Sequence, residues 1–165
     1  MSAPGTVRPS GAPSEHGNGM SVCSLAQITR RELATYSTPV RGSLTVVESG
    51  KDVPFSIARI FYIHGAGKNS ERGAHAHRET WQAFIAAKGH FSIELTDGYL
   101  KETYQMDDAK HVLIVPPMIW ARLFAFSKDS VCLVLASSLY DPQDYIREWE
   151  DFVNYQKDLA SLESD

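Results

Sequence analysis

Residues His90–Thr96 alternate strictly: Phe91, Ile93 and Leu95 fall on one face, His90, Ser92, Glu94 and Thr96 on the other. A period of two marks a strand that buries one side. Asp97-Gly98 then supplies turn chemistry for a hairpin into a second strand over Tyr99–Gln105. Further strand-like runs recur at Ser43–Glu48 and Ser56–Ile63, both rich in β-branched and aromatic residues. Val112–Val115 and Val131–Ala136 read as buried strands, with another around Trp120–Phe126. Many short strands without helical patterns between them predict an all-β sandwich or barrel. One helix closes the chain, predicted over about 142–158: Asp141-Pro142 is an N-cap followed by proline at the first helical position, and Asp144 sits in the first turn. Tyr145, Trp149, Phe152 and Gln156 recur at helical spacing, with Ile146 and Val153 beside them, so this stripe is expected to pack on the strands or on a partner.

At 165 residues the chain suits one domain, assigned to 21–165. Residues 1–20, rich in Gly, Pro and Ser and including His16, are predicted to be a disordered tail. The two cysteines, Cys23 and Cys132, form no Cys-x-x-Cys pair, which points to free thiols in a reducing compartment rather than a disulfide framework. No apolar run approaches the roughly 20 residues that span a bilayer, and no secretory h-region is present, so a cytoplasmic protein without a membrane partner is expected. A formal net charge of −4, without a basic stripe, argues against nucleic acid as partner. Local arginines can still bind a small anion such as a diphosphate.

The chemistry concentrates in Arg72-Gly73-Ala74-His75-Ala76-His77, with Gln82 and Gly89 following. On a strand His75 and His77 project the same way, and two converging imidazoles can ligate a metal or move protons near neutrality. The spacing resembles the first signature of the cupin barrels. A metal-binding cupin adds a Glu after the histidines and a third His from a later strand. Here those positions hold Gln82 and, within Val115–Ala121, Ala121. A catalytic zinc site generally keeps three protein ligands, so the pair is read as acid–base groups, with no metal and no cofactor.

The sequence also resembles the dTDP-4-keto-6-deoxyglucose 3,4-ketoisomerases, small cupins of bacterial sugar biosynthesis. The blocks that carry the resemblance are Arg41–Leu44, Pro54–Ile57, Arg59–Tyr62, Arg72–His77 with Gln82, Pro116 with Trp120, Val134–Ser137, Tyr140-Asp141 and Asp144–Arg147. They run in order from about residue 25 to about 155. The resemblance implies a cupin jelly-roll with a C-terminal helix, a homodimer for which domain swapping is a family expectation that residue spacing does not demonstrate, no metal, and a dTDP-linked 4-keto-6-deoxy sugar as substrate. Products of such enzymes feed deoxyamino-sugar biosynthesis. The alternatives are a metal-dependent cupin, an epimerase acting on the same kind of sugar, or a non-catalytic nucleotide-sugar-binding cupin.

By the resemblance His75 and His77 carry the proton transfers, with His75 favoured as base at carbon 3 and, as the alternative, one of the pair only orienting the other. Tyr62, one strand earlier, is a candidate to stabilise the enolate or relay a proton; a core tyrosine is the bland reading. Arg59 and Arg72 are candidates for the diphosphate, against surface salt bridges as the alternative. Arg41 falls where the family places a sugar-facing residue. Gln82 is a candidate partner of sugar hydroxyls or of a histidine, and Trp120 a candidate pocket wall or simply core packing. His64 reads as a loop residue, and His90 and His111 as structural. One departure stands out: family members carry a polar His or Arg after the tryptophan, where this chain has Ala121 followed by Arg122. With Arg41 present, the pair of positions leans to a galacto-configured product.

Overall fold

The computed structural model describes residues 24–162. The tail expected over 1–20, His16 and Cys23 lie outside the described residues. In chain order the strands are β1 (Thr29–Glu32), β2 (Thr35–Thr38), β3 (Gly42–Thr45), β4 (Arg59–His64), β5 (Arg72–His77) and β6 (Gln82–Lys88). They continue as β7 (Phe91–Thr96), β8 (Lys101–Met106), β9 (His111–Val115), β10 (Trp120–Phe124), β11 (Val131–Ala136) and β12 (Tyr145–Ile146), before helix α1 (Trp149–Leu162).

Two five-stranded antiparallel sheets, ordered β1-β9-β6-β11-β4 and β12-β5-β10-β7-β8, face each other in a jelly roll. The predicted apolar face of β7 closes the space between them: Phe91, Ile93 and Leu95 are fully buried against Phe84, Leu113, Leu123 and Val134. The first sheet is buried on its outer face too, where Val112, Ile114, Ala83 and Ile85 pack under Leu33, Val53 and Phe55. Burial on both sides explains why Val112–Val115 reads as an uninterrupted apolar run. The β2–β3 hairpin pairs only with itself, and its Tyr36, Val40 and Leu44 are exposed.

Asp97-Gly98 opens the β7–β8 hairpin, but as a four-residue loop, because Thr96 pairs with Lys101. Asp97 Oδ1 accepts from the Tyr99 and Leu100 amides, at 3.0 and 2.9 Å, so the second strand begins two residues later than expected. The closing helix is also corrected. Asp141 caps only a three-residue 3-10 turn, Pro142–Asp144, and the chain then runs extended through Tyr145-Ile146 to pair with β5. Ile146 is buried against Ala76 and Phe152, and the backbone bonds to the β5 edge outweigh the helical spacing of Tyr145. The helix therefore starts at Trp149, with Glu150 and Asp151 in its first turn. Gln156, itself buried, donates to the Met118 carbonyl at 2.6 Å, and the Met118 amide donates to the His77 carbonyl at 2.7 Å. Through that chain α1 braces the end of the strand that carries the histidines.

Candidate active site

The histidine strand is aimed by a bulge. Against β10 the register runs Ala121 with His75 and then Arg122 with Gly73, leaving Ala74 unopposed. Gly73 and Ala74 both take positive φ, 79° and 53°. A Cβ on Gly73 would sit 2.7 Å from the Ala121 carbonyl oxygen, so the position admits only glycine. Such an extra residue bends a strand and redirects the side chains beyond it. Here it turns His75 into a small cavity of about 80 Å³ between the sheets, lined by Phe61, Phe84, Gln82, Ala121 and Tyr145 among others.

His77 is more deeply set. Its Nδ1 lies 2.6 Å from Asp144 Oδ2, which also accepts from the Thr80 hydroxyl at 2.6 Å, while Oδ1 accepts from the Glu79 amide at 2.8 Å. Burial pushes the Asp144 carboxyl up, but bonds from Thr80, His77 and Glu79 more than offset it and leave it below the usual carboxylate range. Burial lowers the His77 imidazole against the opposing pull of Asp144, and Arg59 and Arg147 add to the lowering. A neutral imidazole beside an ionised carboxylate donates from Nδ1, which leaves Nε2 with a free lone pair. That Nε2 is buried and has no protein partner. Burial, reinforced by His77, holds His75 down at about 4, so it too is an uncharged base at neutral pH.

Tyr145 completes the cluster. Paired with His77 across the β12–β5 register, it places its ring 4.3 Å from the His77 ring and 4.9 Å from the His75 ring. The Arg147 guanidinium lies 4.4 Å above the Tyr145 ring. Arg59 rests over Phe61 and Tyr140, with its Nε buried and unpartnered. Two neutral bases, one fixed by a carboxylate, beside a phenol and under two cations, form an arrangement for moving protons on an anionic substrate.

Residues 26–157 match the family model described as FdtA: WxcM-like, C-terminal. The chain belongs to that family. Among its relatives, the TDP-4-oxo-6-deoxy-alpha-D-glucose-3,4-oxoisomerase of Aneurinibacillus thermoaerophilus is 38% identical over 115 residues, 70% of this chain and 83% of that protein. The structure of a sugar 3,4-ketoisomerase from Thermoanaerobacterium thermosaccharolyticum in complex with TDP is similar, with TM-score 0.79 and 30% identity, covering 81% of this chain and 97% of that one. The TDP-quinovose 3,4-ketoisomerase from Campylobacter jejuni gives a TM-score of 0.74 at 34% identity over 78% of this chain and 98% of that one.

Set on this FdtA-type frame, the residues singled out in the sequence separate. His75 and Gln82 line the cavity, and His77 lies beside it, its ring 5.1 Å from that of His75. Tyr62 does not: β4 alternates Phe61 and Ile63 inward, leaving Tyr62 63% exposed on the outer face against His64. Trp120 is not a pocket wall either. It points away from the cavity side held by Ala121 and Leu123, and packs against Trp149 and Phe152 of α1. Arg59 and Arg72 occupy opposite ends of the sandwich, since Arg59 is level with Ala136 and Gln82 whereas Arg72 pairs with Leu123 near the other rim. Arg41 sits exposed at the β2–β3 turn, outside the cavity lining. Arg122, next to Ala121, is held outside by Glu71 and Glu94. Asp144 and Tyr145, which the sequence pattern places in a helix start and a helix stripe, lie instead in a 3-10 turn and a strand; the alternation of Tyr145 with buried Ile146 is the sequence signal for that strand. Among the described residues no group of three His, Cys, Asp or Glu side chains is placed to hold a metal.

Proposed function

We propose that this protein converts a TDP-linked 4-keto-6-deoxyglucose to its 3-keto isomer, with His75 and His77 as the proton-transfer groups. The activity class is that of its relatives, TDP-sugar 3,4-ketoisomerases, one of them 38% identical over most of both chains. The observation that carries the residue assignment is the His77–Asp144 contact of 2.6 Å beside a cavity that His75 faces. The proton on carbon 3 is acidified by the adjacent ketone. His75 removes it, giving an enediolate. His77, its tautomer fixed by Asp144, takes the proton from the carbon 3 oxygen and returns it to the carbon 4 oxygen. Gln82 is assigned to a sugar hydroxyl. Arg59 and Arg147, both flanking the histidines, are assigned to the diphosphate, which guanidinium forks suit. Arg72, at the far rim, is left to another contact.

The working form is assigned to a homodimer without metal in a reducing cytoplasm. Support for the dimer is the apolar surface of the β2–β3 hairpin, with Tyr36 66%, Val40 93% and Leu44 63% exposed, together with Ile60 and Tyr62 on the edge strand β4. A second copy seated there is also what would carry Arg41 to a site. Support for the compartment is the buried, unbridged Cys132, whose thiol burial pushes up to about 12, and no helix among the described residues is long and apolar enough to cross a membrane.

The test is chelator-treated protein incubated with dTDP-4-keto-6-deoxyglucose in deuterium oxide and followed by proton NMR, with sedimentation for the dimer. A 3-keto product deuterated at carbon 4 is expected. Unchanged substrate overturns the assignment, and deuterium at carbon 3 or 5 with the ketone still at carbon 4 replaces it with an epimerase.

A further inference from the structure

The β10 residue that faces the histidine strand across the cavity is an alanine, which has no proton to give. Ala121 stands directly opposite His75 on β10 and lines the same cavity. The polar side chains in that lining are His75, Gln82 and Tyr145. An amide such as Gln82 does not act as a Brønsted acid at neutral pH. Resting on the ketoisomerase reading above, we infer that Tyr145 is a catalytic residue: its hydroxyl delivers the proton to carbon 4.

Three observations hold the assignment together. Tyr145 reaches the cavity on β12, the strand flanking β5 on one side, while Ala121 occupies β10 on the other. Its ring packs against both imidazoles, with its centroid 4.9 Å from that of His75 and 4.3 Å from that of His77, so the phenol belongs to the same side-chain cluster as the two bases. Buried Ile146 on one side of the backbone and Arg147 over the ring on the other fix its orientation.

The step balances without a co-reactant. His75 takes the carbon 3 hydrogen as a proton, and the electrons of that bond form the carbon 3–carbon 4 double bond, leaving charge on the carbon 4 oxygen. His77 moves the proton from the carbon 3 oxygen to the carbon 4 oxygen. The carbon 3 oxygen then collapses to a carbonyl, and the double-bond electrons take a proton from the Tyr145 hydroxyl at carbon 4. The His75 imidazolium returns its proton to the phenolate and resets both groups. Because the phenolic proton exchanges with water between turnovers, carbon 4 receives a solvent hydrogen.

Tyr145→Phe keeps the ring and removes the hydroxyl. General acid catalysis is worth about 10²–10⁴-fold, so kcat is expected to fall at least about 100-fold with dTDP affinity unchanged. Substrate recovered from deuterium oxide should still acquire deuterium at carbon 3, because His75 and His77 remain. Turnover within threefold of the parent overturns the assignment, as does joint loss of turnover and carbon 3 exchange. Should Tyr145→Phe fail to fold, 2,3,5-trifluorotyrosine placed at 145 decides. A more acidic phenol should move the basic limb of the pH–kcat profile to lower pH, and an unmoved limb refutes the role. The parent protein in the same assay reports on the ketoisomerase reading, so failure of that reading shows in the parent arm and failure of the Tyr145 role only in the variants.

Discussion

Replacing Asp144 by asparagine strikes the His77 dyad without touching any group in the cavity lining. The carboxylate accepts at both oxygens: Oδ2 from His77 Nδ1 and the Thr80 hydroxyl, each at 2.6 Å, and Oδ1 from the Glu79 amide at 2.8 Å. Asparagine offers one oxygen. With that oxygen on the Glu79 side, its NH₂ faces Thr80, which can turn its hydroxyl and accept, and His77, which must shift its proton to Nε2. Nε2 then becomes a donor and ceases to be a base. In the serine-protease triad the same tautomer error costs about 10⁴ in kcat. With the amide reversed the tautomer survives but the charge is lost. A hydrogen bond to a charged group contributes about 1.5–3 kcal/mol, which is roughly 10- to 150-fold in imidazole basicity. We therefore expect kcat of Asp144→Asn to fall by about 10- to 10⁴-fold, according to which way the amide turns. KM should stay within a few-fold, since the carboxylate of Asp144 bonds His77, Thr80 and Glu79 and does not line the cavity. The pH profile gives an independent sign. Asp144 raises the His77 pKa against burial. Removing it lowers that pKa, so protonation of the base sets in at lower pH and the acid limb of kcat shifts down. Initial rates by NMR across pH 5–8 measure both. A kcat within threefold of the parent, or an acid limb displaced upward, refutes the reasoning.

Tyr62→Phe should leave kcat and KM within about twofold, because Tyr62 faces away from the cavity; a loss of tenfold or more would return it to the site. Gly73→Ala forces a Cβ to within 2.7 Å of the Ala121 carbonyl at φ +79°, and left-handed strain alone is worth about 1–2 kcal/mol, so a lower Tm and a misaimed, slower His75 are expected together. Thermal melts and initial rates check both, and an unchanged Tm would show that the bulge is not constrained. His75 titrates at about 4 in the folded chain against 6.5 as its ordinary value, so below pH 6.5 the unfolded chain binds the proton first. Its contribution is therefore complete above about pH 6.5 and declines as pH falls toward 4, by at most about 3 kcal/mol. Denaturant melts of His75→Asn should show a flatter fall over that window, and an identical slope would place the acid sensitivity elsewhere.

What the sequence made legible, and what it hid, follows from whether the deciding interaction is local. The alternation of Phe91, Ile93 and Leu95 is a property of consecutive residues, and the structure buries all three. The His75/His77 pair shares a face for the same reason. The inward set on β4 was equally periodic, yet alternation alone does not say which of its two faces meets the core. Tyr62 neighbours the site blocks only in sequence, while Phe61 and Ile63 take the inner side of β4. Trp120 points outward because α1 supplies Trp149 and Phe152 to cover it, residues distant from it in the chain. Asp144 is the most instructive case. An acid two residues after a proline satisfies every local rule for a helix start, and the chain does make a cap there, over one 3-10 turn. Its carboxylate is claimed by His77, sixty-seven residues earlier. The β5 edge captures Tyr145 and Ile146 before a helix can propagate. A helix nucleus must fix several residues for its first hydrogen bond, whereas an adjacent strand edge offers ready-made partners. The dyad and the strand that would have read as helix are thus one event: pairing of β12 to β5 sets Tyr145 against His77 and brings Asp144 to its Nδ1. Changes that unpair β12 should therefore remove the phenol and the carboxylate from the histidines together.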